Sequence, residues 1–137
     1  MDRPWWEVYH HEVARTFQGE RTSLAQLRPA MGVTRLQRFT PYNNSGAGAV
    51  SLAALRGARR IVLLGYDCQR AGTQVHWHGD HPRQLGNAGK MDGWASSFAQ
   101  LAKDLQRQGV EVLNASRATA LSCFPRVSLV DALKETA

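Results

Sequence analysis

The sequence predicts an α/β fold in which helices cover both sides of a mostly parallel sheet, three layers in all. Two short apolar runs, Ile61-Val62-Leu63-Leu64 and Val110-Glu111-Val112-Leu113, each follow a helical segment that a glycine, Gly57 or Gly109, is placed to stop. Helix and strand therefore alternate, and strands joined through helices run parallel. Ile61 to Leu64 is apolar without a break, as strands buried on both faces tend to be.

The elements follow in order. Trp5, Trp6, Val8, Tyr9, Val13 and Phe17 recur at spacings of three and four, which predicts a helix with one apolar face, opened near Pro4 and stopped at Gly19. Arg21 to Ala25 and Val33 to Phe39 alternate partially and read as two modest strands or extended pieces, separated by Pro29 and Gly32. Asn43-Asn44-Ser45 then caps a helix of small and apolar residues running to Leu55. Cys68 to Met91 has no periodicity and reads as a long loop, a type usually functional or disordered. Asp92 looks like the cap of the next helix, whose core stripe is Trp94, Phe98, Leu101 and Leu105. After Leu113, Thr119 to Cys123 reads as a turn or short helix, Phe124-Pro125-Arg126 as a break, and Leu129 to Lys134 as a final helical turn or two.

At 137 residues, 43% of them hydrophobic, the chain suits one domain with a real core. No apolar run approaches the roughly 18 residues of a membrane span, and the start Met-Asp-Arg-Pro-Trp-Trp does not read as a signal peptide. Cys68 and Cys123 give no disulfide framework and fit a reducing compartment, so the expected location is the cytoplasm. The net charge of +6 favours acidic partners, yet the arginines are scattered along the chain. Aromatic residues interleave with them only sparsely, which ranks nucleic acid last among those partners.

Ligands of parallel sheets gather beyond the carboxyl ends of the strands. There the sequence places three polar clusters. Asn44, Ser45 and Gly46 open a helix, where main-chain N–H groups could hold a phosphate; ordinary capping competes with that role. Tyr66 and Asp67 end one strand, and Asp67 could accept from a sugar hydroxyl, help hold a divalent metal, or simply cap a turn. Asn114, Ser116 and Arg117 end another, offering an amide, a hydroxyl and a guanidinium.

His76-Trp77-His78-Gly79-Asp80-His81 is the most distinctive hexapeptide. It matches the His-x-His-x-Asp-His pattern of metallo-β-lactamase-like hydrolases, but no histidine follows His81 to complete two metal sites. A single metal on His76, His78 and His81 with Asp80, a general base drawn from these histidines, and a structural loop anchored by Trp77 all remain open.

The order Asn44-Ser45-Gly46, Leu63-Leu64-Gly65-Tyr66-Asp67, the histidine hexapeptide with Pro82, Asn114-Ala115-Ser116-Arg117-Ala118-Thr119-Ala120-Leu121 and Phe124-Pro125-Arg126 resembles a family of small bacteriophage and prophage proteins. These are often labelled norphogenetic proteins and are related to the 6-hydroxymethylpterin diphosphokinase-like domain. A more distant similarity links the Ser-Gly helix and the Gly-Tyr-Asp strand end to bacterial sialyltransferases. The resemblance implies a Rossmann-like domain that binds a nucleotide or sugar nucleotide through Ser45 and Gly46. It also implies glycosyl or phosphoryl transfer, with a base from His76, His78 or His81, in the host cytoplasm if the chain is phage-encoded. Longer members of that family begin with a glycine-containing phosphate loop and further strands, so the domain is expected to be N-terminally shortened. An exposed sheet edge would then favour a homo-oligomer, and a non-catalytic accessory protein is the alternative to a transferase.

Overall fold

The computed structural model describes residues 3–37, 39–70, 81, 85, 91 and 93–134. They form helices and short parallel strands, a mixed α/β architecture arranged in two two-stranded sheets. The expected single sheet is thus not what these residues build. By contacts the chain divides into two compact units, residues 1–39 with 81–87 and residues 40–80 with 88–137.

In the first unit, α1 (Arg3–Thr16) precedes β1 (Thr22–Ser23), a 3₁₀ turn (Pro29–Met31) and β2 (Thr34–Arg35). The two strands pair in parallel, with Thr34 N–H donating to Arg21 O and Leu36 N–H to Ser23 O, both at 2.8 Å. They are shorter than the alternation suggested. Gly32, at φ 61°, closes the 3₁₀ turn between them in the left-handed conformation that glycine adopts without penalty. The α1 face is narrower than the spacing predicted. Trp6 is buried, Trp5 meets it edge-on and Tyr9 packs against Trp5, but Val8 is exposed. Two residues past Trp6 is about 200° around a helix, the opposite side. Phe17 falls one residue past the helix and is also exposed, its ring lying over Gly19.

The second unit holds α2 (Ser45–Leu55), β3 (Arg60–Leu63), α3 (Trp94–Arg107), β4 (Glu111–Asn114) and α4 (Leu129–Ala132). Both long helices end as their glycines require. Gly57 (φ 97°) and Gly109 (φ 67°) are left-handed, and the next amides, of Ala58 and Val110, reach back to Ala53 O and Leu105 O. Each turn delivers the chain straight into a strand, and β3 and β4 pair in parallel from Arg60↔Glu111 to Leu63↔Asn114. Residues 125–127 extend the ladder: Asn114 N–H donates to Pro125 O and Val127 N–H to Asn114 O.

Helices α2 and α3 pack together on one face of this sheet. Ala47 and Val50 from α2, Phe98, Leu101 and Leu105 from α3, and Leu63 and Val112 from the strands form the core, joined by Leu121 and Phe124. Three of the four predicted α3 stripe residues are therefore in the core, while Trp94, in the first turn, is half-buried and outside it. Strand β3 is less buried than its apolar run suggests: Ile61 and Val62 are half-buried and Leu64 is exposed. Asp92, the expected cap of α3, lies outside the described residues; the helix starts after Gly93, whose carbonyl accepts from the Ser96 and Ser97 hydroxyls.

Candidate functional site

Asn44 is the N-cap of α2, as the sequence predicts. Its backbone is extended, and its Oδ1 accepts from Ala47 N–H at 3.0 Å while its carbonyl accepts from Gly48 N–H. The amide of Ala47 is thereby consumed by the cap. The amides of Ser45 and Gly46 have no hydrogen-bond partner among the described residues, and Ser45 is exposed. They are the orphan donors that a helix start leaves.

The chain reaches this cap through a strained turn. Tyr42 and Asn43 both have positive φ, 54° and 51°, with Asn44 N–H donating back to Pro41 O. Asparagine tolerates that conformation, but tyrosine does so rarely. Tyr42 is held there by its hydroxyl, which donates to the Asp104 carboxylate at 2.7 Å. Burial and then that hydrogen bond push the Tyr42 phenol up to about 12, and the same bond, with Arg107, holds the Asp104 carboxyl below its ordinary value.

The end of β3 meets the start of α2 through Tyr66. Its ring stands edge-on to Phe98 at 5.9 Å, and its hydroxyl donates to Gly46 O at 3.4 Å. A β-carbon placed on Gly46 would sit 3.1 Å from the Tyr66 ring and 3.2 Å from Asn44 Oδ1. The close approach that glycine permits here is made by a side chain of the protein itself. Burial raises the Tyr66 phenol, with a smaller contribution from Cys68.

The end of β4 joins the same cluster. Asn114 is wholly buried; its Oδ1 accepts from Ser116 N–H at 3.0 Å and its Nδ2 donates to Thr119 Oγ1 at 3.2 Å. Ser116 Oγ, also buried, accepts from Tyr66 N–H at 2.9 Å. Thr119 Oγ1 donates to Tyr66 O at 2.7 Å and accepts from Leu121 N–H, while Ala120 N–H donates to Asp67 O. These bonds make Asn114 and Ser116 the ties between two strand ends, so both side chains are spent on the protein. Asp67 is half-buried and Arg117 exposed, with its carbonyl accepting from Arg126 Nη2. Thr119 is the hub that the sequence did not single out. Only its place five residues after Asn114 in the polar strand-end run hinted at it.

A hollow of about 560 Å³ is lined by residues 119–126, beside this network. Cys68, which also has positive φ (49°), follows Asp67. Burial, and then the neighbouring Asp67 and Cys123, push its thiol up to about 11, and burial raises Cys123 as well. Neither is a ready nucleophile at neutral pH.

Thus Asn44, Ser45, Gly46, Tyr66, Asp67, Asn114 and Ser116 all lie in the second unit, and Gly46, Tyr66, Ser116 and Asn114 are joined by contacts. His76, His78 and Asp80 lie outside the described residues, and His81 groups with the first unit. Among the described residues no three His, Cys, Asp or Glu side chains gather into a metal-binding cluster, and three of the four residues expected to hold a metal, His76, His78 and Asp80, are not among them.

The described fold and site define a mixed α/β protein with a polar cluster at the carboxyl ends of two parallel strands. Comparison with protein-family models, curated proteins and solved structures finds no match to the chain. Among the described residues no helix is long and apolar enough to cross a membrane.

Proposed function

We propose that the chain is a three-layer, Rossmann-like domain of the phage-protein kind its motifs resemble, and that it binds a phosphate-bearing ligand, a nucleotide or sugar nucleotide, at the start of α2. The observation that carries this reading is the pair of unpartnered amides at Ser45 and Gly46, beside the exposed Ser45 hydroxyl, at the head of an 11-residue helix. Such a helix start attracts negative charge. Tyr42 and Asn43, both at positive φ, lead directly into this helix start. Strain of about 1–3 kcal/mol per residue persists where the surrounding structure enforces it, often at ligand sites. Arg117 is the cationic side chain of the strand-end run, and it is exposed. Glycosyl or phosphoryl transfer would require in addition a base, His76, His78 or His81, with Asp67 holding a hydroxyl or a divalent cation.

The test is a thermal-shift titration with inorganic phosphate, nucleoside di- and triphosphates and sugar nucleotides. A ligand at a hundred times its dissociation constant adds about 2.7 kcal/mol of stability. Ser45→Asp places a carboxylate at the helix start, which favours the helix by about 0.5 kcal/mol while repelling phosphate, and it abolishes the shift. If no compound shifts the wild type, or Ser45→Asp responds equally, the anion site is absent and the chain is better described as a non-catalytic accessory protein.

A further inference from the structure

We propose that the hollow between α3, β4 and residues 123–124 binds a small amphipathic carboxylate, a short hydrocarbon chain or ring carrying one acid group, with Lys103 as its counter-ion. The hollow has a volume of about 330 Å³ and is lined by residues of the second unit alone, none of them from the start of α2. It falls at the small end of the range for ligand sites, roughly 300–1,000 Å³.

Helix period and strand alternation build the hollow. Phe98, Leu101 and Leu105 form the core stripe of α3, and Ala99, Ala102, Lys103 and Gln106 follow on the adjoining stripe, at i, i+3, i+4 and i+7. Val110 and Val112, two residues apart, share one face of the sheet below them. With Leu105 and Phe124 these valines are buried and make the floor, while Lys103 and Gln106 are exposed at the rim. Phe124 stands edge-on to Phe98 at 6.4 Å, which ties the floor to the core. Alanine at 99 and 102 leaves open the volume that longer side chains would fill.

The lining selects the occupant. Apart from the Cys123 thiol, the floor side chains carry no hydrogen-bonding group, so a sugar hydroxyl or a base edge would lie there unpaired. The body of the ligand is therefore hydrocarbon. Burial raises the Cys123 thiol and keeps it neutral, which leaves Lys103 as the one ion among the lining residues. Its charge is unspent. Next to it on α3, Asp104 is taken up by Tyr42, Gln100 and Arg107, whereas the Lys103 ammonium has no partner among the described residues. An acid group at one end of an apolar body meets both features at once.

Amide chemical shifts of the isotope-labelled chain, titrated with octanoate, read site and affinity together. Saturable shifts are expected at residues 99–106, 110–112 and 123–124, and none at Ser45 and Gly46, the separate anion site proposed above. Octanol, with the same tail and no charge, binds about tenfold more weakly. Lys103→Ala, at an exposed helix position, removes that preference. Ala102→Leu fills the hollow and abolishes the shifts while the spectrum stays dispersed. The proposal is overturned by a wild type with no saturable shifts in the hollow, or by a preference for octanoate that survives Lys103→Ala. Phosphate and nucleotide titrations read Ser45 and Gly46, so either proposal can fail while the other stands.

Discussion

Asn114 shows how a polar residue at a strand end can be explained without a ligand. Its carboxamide is fully buried and divided between Ser116 N–H and the Thr119 hydroxyl, which in turn fix Tyr66. Asn114→Ala leaves the Ser116 N–H without its partner, at about 1–3 kcal/mol, while Thr119 Oγ1 keeps its bonds to Leu121 N–H and Tyr66 O. We expect a loss of about 1–3 kcal/mol in urea unfolding, whereas Arg117→Ala, at an exposed position, changes stability by less than about 0.5 kcal/mol. Sequence could place Asn114, Ser116 and Arg117 at a strand end but could not tell which were spent internally, because that depends on Thr119 and Tyr66 arriving from elsewhere in the chain. A second residue-scale prediction concerns Tyr42. Its phenol is raised to about 12, so the stability it contributes is complete below pH 10 and is lost as pH rises through 12. Asp104 is lowered, so its contribution is present above its ordinary 3.8 and is lost as pH falls through the depressed value. The melting temperature of Tyr42→Phe therefore lies below the wild type at pH 7, and the gap narrows in acid below pH 3.8. An equal gap at pH 7 and pH 2 would show that the Asp104 charge plays no part.

At the scale of elements, α2 and α3 were legible because their signals are local: the Asn44 cap of α2, the 3.6-residue apolar period of α3, and glycines that must take positive φ at both stops. The strands were less so. Thr22–Ser23 and Thr34–Arg35 form a pair of two residues each, and Arg126 joins β4 through a segment that proline made look like a break. Pairing is a long-range property that propensity does not carry. Gly46 illustrates the same limit within a correctly placed helix. A glycine in the first turn suggests room for a phosphate, but the Tyr66 ring and the Asn44 carboxamide occupy the space that a β-carbon would fill. Gly46→Ala gains up to about 1 kcal/mol of helix propensity, against about 1–3 kcal/mol of overpacking. Because Tyr66 is held by Phe98 and by its own main-chain bonds, the overpacking term prevails. Chemical denaturation should show Gly46→Ala less stable by about 1 kcal/mol, and a more stable variant would mean that the Tyr66 ring moves aside freely.

For the whole molecule, the division into two compact units decides how the chain responds to damage in either core. Trp6 and Met31 are buried in the first unit, whereas Phe98, Leu101 and Phe124 are buried in the second, where Phe98 meets both Tyr66 and Phe124 edge-on. Removing a buried aromatic ring costs about 3–5 kcal/mol, enough to unfold a unit of this size. Local opening is read by amide exchange, which distinguishes cooperative units from a single one. Phe98→Ala is expected to strip protection from α3 and β4 while leaving α1 unchanged, and Trp6→Ala to do the reverse. Hydrogen exchange followed by mass spectrometry resolves the peptides 3–16 and 94–114 separately. Simultaneous loss of protection in both peptides from either substitution would mean that the two units share one folding transition, and the single-domain expectation would then hold for the chain's thermodynamics as well as its length.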